Sequence, residues 1–191
     1  MIFFQAPFSP LKLETDVLFL IDDSHDVNEE LFYRQKQFVN LLYDHFNLSP
    51  NGPRGSALKY GDSAYYIVAF GDPSFKEKVN RTNLLQTPRR MDVALRKAAE
   101  VLARAGNDEG RKIVILLIAG EQANKMESLK DAVEPLRRLE AQIFVIAVGQ
   151  NIASRNFKID TLENVIRVPV SSRLKDQSKQ IAVQIRDRPG K

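Results

Sequence analysis

The sequence predicts an α/β protein: a doubly wound, mostly parallel central sheet with one antiparallel edge strand and helices on both faces. Three observations lead there. Apolar runs at 17–21, 113–118 and 141–148 lack strict alternation, as strands buried on both faces of a parallel sheet do. Helical stretches separate these runs, and strand–helix alternation builds parallel sheets. Two shorter runs at 56–60 and 64–70 are joined by Gly61-Asp62-Ser63, a spacing that signals a hairpin and therefore one antiparallel pair.

Each element follows from its residues. After the strand at 17–21, Asn28 opens a helix running to about 46, with Glu29 and Glu30 at the positive end of its dipole. Leu31, Phe38, Leu41, Leu42 and His45/Phe46 fall at helical spacing and are expected to face the core. The turn cluster Asn51-Gly-Pro-Arg-Gly55 precedes the hairpin. A short helix is expected over 75–85, then a loop over 86–90. Residues 91–105 form a helix with Val93, Leu95, Ala98 and Leu102 as its buried stripe, ended by Gly106. The strand at 113–118 closes on Ala119-Gly120-Glu121. A helix over 126–140 contains Pro135, which should kink or split it. After the strand at 141–148 come a short helix over 156–164, an edge strand over 165–170 and a final amphipathic helix over 172–186.

The 191 residues suit one domain with a sizeable core. We place it at 16–187, with an N-terminal arm at 1–15 and a linker at 188–191. No apolar run reaches the roughly 18 residues needed to span a bilayer, so membrane insertion is not expected. The opening Met1-Ile-Phe-Phe-Gln-Ala-Pro-Phe8 is too short, Pro-broken and uncharged for a signal peptide. There are no cysteines, hence no disulfides, which leaves the compartment open. Asn80-Arg-Thr82 is an N-glycosylation sequon, and Asn47-Leu-Ser49 is a poorer one because Pro50 follows. Net charge is +4, with basic pairs at Arg89-Arg90, Arg111-Lys112 and Arg137-Arg138. These read as solvated helix faces and ends, or as a surface for a sulfated glycosaminoglycan. No nucleic-acid module or aromatic platform is present.

The first apolar strand ends in Asp22-Asp-Ser-His-Asp26. In open α/β sheets ligands gather at the carboxyl ends of strands, and carboxylates with hydroxyls suit a hard cation such as Mg²⁺ or Ca²⁺. The spacing Asp22-x-Ser24-x-Asp26 resembles the DxSxS signature of the von Willebrand factor A domain (integrin I-domain type). Met91-Asp-Val-Ala-Leu95, the strand 113–120 and Leu139-Glu-Ala-Gln-Ile-Phe-Val-Ile-Ala-Val-Gly149 resemble later signatures of that family, in the same order. The resemblance implies the fold and a metal-ion-dependent adhesion site, with Asp22, Ser24 and Asp26 as ligands.

The chain departs from the family pattern at three ligand positions, the first being Asp26, which replaces the second Ser of the first loop. The second-loop Thr falls on Arg89, with Thr87 and Pro88 just upstream, and the third-loop Asp falls on Ala119. Thr87 serves only if the loop is registered differently, and Ala119 has no side-chain oxygen. A guanidinium from Arg89 or Arg90 repels a dication and pairs instead with Asp22 or Asp26. On a purely structural reading, Asp22, Ser24 and Asp26 satisfy backbone donors and cap the next helix.

Catalysis is not expected. There is no cysteine, only His25 and His45 are available as imidazole bases, and no Gly-rich phosphate loop is present. The leading expectation is an extracellular, secreted matrix domain that adheres to collagen, another matrix protein or a glycosaminoglycan without a complete metal site, as the resemblance to collagen VI-like A domains implies. Its surface is expected to include Asp23, His25, Thr87, Arg89, Arg90 and Glu121. The alternatives are a metal-dependent adhesion domain binding Mg²⁺ or Ca²⁺, and an intracellular A-domain scaffold, to which the missing cysteines are equally suited.

Overall fold

The computed structural model describes residues 11–119, 129–149 and 164–189. Among these residues six strands form one sheet: β1 (Asp16–Asp22), β2 (Arg54–Tyr60), β3 (Ala64–Val68), β4 (Lys112–Ala119), β5 (Gln142–Val148) and β6 (Asn164–Val168). Their order across the sheet is β3-β2-β1-β4-β5-β6. All pairs are parallel except β2–β3, whose register slips at Ala57/Leu58. The chain winds outward from β1 to β3, then restarts beside β1 and winds the other way from β4 to β6. The reversal therefore lies between β1 and β4, where a doubly wound sheet opens its ligand crevice.

Among the described residues five α-helices cover the sheet: α1 (Glu29–His45), α2 (Phe75–Arg81), α3 (Met91–Ala105), α4 (Leu129–Arg138) and α5 (Leu174–Arg186). The lack of alternation in β1 and β4 reflects two cores. Val17, Phe19 and Ile21 join Ile113, Ile115 and Leu117 under α1, α2 and α5. Leu18 and Leu20 join Val114, Leu116 and Ile118 under α3 and α4. All eleven of these strand residues are essentially inaccessible to solvent, so each strand contributes apolar area to both cores.

Several elements differ from the sequence expectation. In α1 the buried positions are Phe32, Gln35, Phe38, Val39 and Leu42, while Leu31 and Leu41 are only half-buried. Val93 in α3 is likewise half-buried. The expected helix over 75–85 stops at Arg81: Thr82 turns extended, and Lys36 Nζ takes the carbonyls of Asn80 and Thr82 at 2.9 and 3.0 Å. The last helix is preceded by a 3₁₀ turn, Ser171–Arg173. Helix α4 is a single element through Pro135. Leu129, Ala132, Val133 and Leu136 stay buried along one stripe, and the residue four before Pro135, whose carbonyl the proline leaves without its helical donor, is the exposed Asp131. In the N-terminal arm Leu11 is buried and Leu13 exposed. The helix expected over 156–164 lies outside the described residues, except that Asn164 begins β6.

Opposite the carboxyl ends of the strands, Arg111 ties α5 to the start of β4. Its guanidinium donates to the carbonyls of Ile185, Arg186 and Arg188 at 2.7–2.9 Å and to Gln142 Oε1 at 2.8 Å. Those carbonyls have no further helical turn to satisfy them, so a fixed donor fork is a suitable cap.

Candidate functional site

The site lies at the carboxyl ends of β1 and β4, at the reversal of strand order. The β1–β4 ladder ends at Leu20–Leu116, so the backbone of Asp22 on that side loses its strand partner. Gln35 of α1 substitutes for it. The Asp22 N–H donates to Gln35 Oε1 and Gln35 Nε2 donates to the Asp22 carbonyl, each at 3.0 Å. Asp22 is fully buried. Its Oδ1 accepts from the Ser24 N–H at 3.0 Å, and its Oδ2 accepts from the Ala119 N–H at 2.9 Å.

The segment between α2 and α3 brings Arg89 into this position. Arg89 Nε lies 3.0 Å and Nη2 2.9 Å from Asp22 Oδ2, and Nη1 lies 3.2 Å from Asp26 Oδ2. Nη2 also donates to the Ala119 carbonyl. The arginine side chain is 1% exposed. Burial pushes the Asp22 carboxyl up, against the pull of the Arg89 charge and of the Ala119 N–H. Arg89 is held above its ordinary value: desolvation opposes the charge, but Asp22, Tyr60 and Asp26 together outweigh it. Tyr60 lies in the same buried region, donates its hydroxyl to the Leu117 carbonyl at 2.7 Å, and is pushed well up by burial.

Thr87 is turned elsewhere. Its Oγ1 accepts from the Asp62 N–H at 3.0 Å, and its carbonyl accepts from the His25 N–H at 3.0 Å. A side chain at Gly61 has no room beside it, because a Cβ there would stand 1.9 Å from Thr87 Oγ1. Gln86, just before it, has φ +58° and sends Nε2 to the Val27 carbonyl at 3.0 Å. The left-handed residue costs about 1–2 kcal/mol.

A resident dication does not fit the described residues as they stand. The Arg89 guanidinium lies between the two carboxylates that would have to bind it. Ala119 offers only backbone atoms, and the Thr87 hydroxyl is committed to Asp62. Ser24 Oγ is buried and makes no well-aligned hydrogen bond among the described residues, yet one hydroxyl beside two arginine-paired carboxylates is a poor donor set for Mg²⁺ or Ca²⁺. Among the described residues no three His, Asp or Glu side chains cluster to hold a metal ion.

The structure places the other sequence-predicted residues unevenly. Asp23, expected on the surface, is buried: Lys59 Nζ lies 3.1 Å from its Oδ2, and its Oδ1 accepts from the Leu85 N–H at 2.7 Å. Arg89 is also buried rather than displayed. His25 and Arg90 are exposed, Asp26 and Thr87 half-exposed. Arg90 pairs with Asp92 at 2.8–2.9 Å, and this contact holds the Asp92 carboxyl below its ordinary value. Glu121 lies outside the described residues. His45 is far from this cluster in the chain, on the α1–α5 interface, 3.1 Å from Ser178 Oγ. Sequence reasoning did not include Gln35 or Lys59. It also omitted the exposed rim residues Gln86 and Leu85, the latter 47% exposed.

The sequence matches the family model of the von Willebrand factor type A domain over residues 16–180. It is 26% identical to mouse integrin alpha-M over 158 residues, covering 78% of this chain and 14% of that protein. It is 27% identical to the human collagen alpha-6(VI) chain, covering 71% of this chain and 6% of that one. It is 26% identical to mouse matrilin-1, covering 71% of this chain and 29% of that protein. The chain thus spans a minor part of each relative. Among solved structures, proximal thread matrix protein 1 from the mussel byssus is similar with a TM-score of 0.76 at 20% identity, over 91% of this chain and 48% of that one. One of that protein's structures has a zinc-occupied MIDAS motif. At this identity the likeness concerns the fold.

Proposed function

Because the chain belongs to the von Willebrand factor type A family, we propose that it is a non-enzymatic binding domain of the extracellular matrix that engages its partner without a resident dication. The observation that carries this reading is Arg89, whose guanidinium bridges Asp22 and Asp26 at 2.9–3.2 Å in a buried site. A tethered cation there leaves the strand-end loops assembled and removes the open coordination position that a partner's carboxylate would need. Recognition then rests on the exposed rim: His25, Leu85, Gln86, Pro88 and Arg90. Such a rim offers apolar area, hydrogen-bonding groups and one positive charge, a composition suited to a protein surface. Collagen or a related matrix protein is the proposed partner class, in keeping with relatives among collagen VI, matrilin and integrin chains. A sulfated glycosaminoglycan, drawn by the net charge of +4, is the second candidate.

The same geometry supports the non-enzymatic part of the proposal. Among the described residues His25 is exposed, His45 faces a Ser178 hydroxyl that already donates to the Lys175 carbonyl, and the fully buried Asp22 carboxylate is paired with an arginine. Among the described residues no helix is long and apolar enough to cross a membrane.

The test is thermal unfolding in EDTA against Mg²⁺, Mn²⁺ and Ca²⁺, run alongside binding to immobilised collagen and heparin in the same buffers. A cation at 100 times its dissociation constant stabilises by about 2.7 kcal/mol, a shift of several degrees. Equal midpoints and EDTA-resistant binding support the proposal. A raised midpoint with EDTA-sensitive binding overturns it and makes Asp22, Ser24 and Asp26 ligands of a metal-dependent domain.

A further inference from the structure

Asn80-Arg81-Thr82 plays no part in the strand-end site, and its geometry differs from that of the other sequon. Asn80 occupies the last turn of α2 and is exposed; Arg81 is exposed too, and Thr82 leaves the helix in an extended conformation (φ −69°, ψ 138°). The Asn80 side chain is oriented by its oxygen. Asn40 Nδ2 donates to Asn80 Oδ1 at 2.8 Å, which leaves Asn80 Nδ2 without a hydrogen-bond acceptor among the described residues. The local backbone is fixed independently, because Lys36 Nζ takes the carbonyls of both Asn80 and Thr82. A shallow groove of about 360 Å³ adjoins Asn80, lined by Tyr33, Lys36, Gln37, Asn40 and Asp44. Tyr33 is 56% exposed there, so the groove combines an aromatic ring with hydrogen-bonding groups. By contrast Asn47 has φ +53° in a tight turn, and Pro50 follows its sequon.

We propose that Asn80 is an N-glycosylation site and that the first sugars of its glycan lie along the groove on α1. The inference rests on the extracellular reading, since the modification requires passage through the secretory pathway. The co-reactant is an oligosaccharide carried on a lipid diphosphate. Asn80 Nδ2 attacks C1 of the first sugar, the bond from C1 to the diphosphate oxygen breaks, the amide loses one proton, and the lipid diphosphate leaves. A glycan here covers the α1–α2 face. Partner contact is then confined to the strand-end loops and the α3–α4 face.

The experiment is secretion of the full chain from mammalian cells behind a cleavable leader, followed by intact mass before and after peptide-N-glycosidase. One glycan is expected, with Asn80 converted to aspartate on its release. Asn80→Gln and Thr82→Ala should abolish it, whereas Thr82→Ser and Asn47→Gln should retain it. Should Asn80→Gln not be secreted, the Thr82 pair gives the same discrimination with Asn80 intact. Secreted protein without a glycosidase-sensitive mass, or a glycan that survives Thr82→Ala, overturns the site. Protection of Tyr33 from tetranitromethane in the glycosylated form, lost after glycosidase, is expected of the groove, and equal labelling overturns that part. Matrix binding is scored separately on the same material, so failure to bind collagen or heparin counts against the adhesion reading alone.

Discussion

Gln35 holds both backbone polar groups of Asp22, accepting its N–H and donating to its carbonyl at 3.0 Å each. A side-chain amide on α1 thereby does the work of a strand partner at the point where the β1–β4 ladder has ended. Gln35→Leu keeps the volume near constant but leaves two buried groups unpaired. Leaving one such group unsatisfied costs about 1–3 kcal/mol. The variant is therefore expected to lose at least about 2 kcal/mol in urea unfolding, with an unchanged m-value.

Removing one partner of the buried ion pair should be costlier. Arg89→Ala leaves the Asp22 carboxylate among apolar neighbours with no counter-charge, a loss of about 3–5 kcal/mol. In Arg89→Met combined with Asp22→Asn no buried charge lacks its partner, and most of that loss should return. A double-mutant cycle by chemical unfolding measures the coupling. Additive effects would show that Arg89 and Asp22 act independently.

Introducing the family's missing ligands tests the same relationship from the other side. Arg89→Thr with Ala119→Asp removes the tethered cation and supplies two oxygen ligands. The double variant is expected to gain a Mg²⁺-dependent rise in unfolding midpoint that the parent lacks, read by calorimetry with and without EDTA.

Tyr60→Phe removes a single hydroxyl hydrogen bond to the Leu117 carbonyl at 2.7 Å and little volume. The expected loss is about 1 kcal/mol, smaller than either change above, with no effect on cation response.

His45 supplies a pH dependence. Burial holds it below its ordinary 6.5, Lys179 acts in the same direction, and Asp44 opposes. The Ser178 hydroxyl already donates to the Lys175 carbonyl at 2.7 Å, so it accepts from His45 Nε2–H and the proton gained in acid goes to Nδ1. The unfolded chain therefore binds that proton first, and stability falls as pH drops from 6.5 toward the lower folded value. His45→Gln should flatten the unfolding free energy between about pH 5 and 8 relative to the parent.

Much of the fold is legible in the sequence because burial on both faces leaves a continuous apolar run. The boundaries of α3 are legible too, since Met91 begins its periodic pattern and Gly106 ends it. Arg89 is legible as the partner of the first loop only through the family pattern that aligns it with a ligand position. Gln35 is not: a glutamine inside a helix is ordinarily solvated, and nothing in its neighbours signals that β1 extends beyond the β4 ladder. Asp23 is hidden for a similar reason. Its burial depends on Lys59, which β2 places beside it from 36 residues away in sequence. Pro135 misleads because a missing hydrogen bond is cheap on an exposed flank while Leu136 and Val133 remain buried.

The clamp formed by Arg111 sets how a pull would travel through the domain. Tension applied at Arg188 does not begin by peeling α5 from the sheet, because one guanidinium binds the carbonyls of Ile185, Arg186 and Arg188. The load passes to Arg111 and thence to β4, whose ladders with β1 and β5 run along the strand. Strands loaded along their length must shear many bonds together instead of opening them one at a time. A domain joined to its neighbours through this end would bear tension through its central strands.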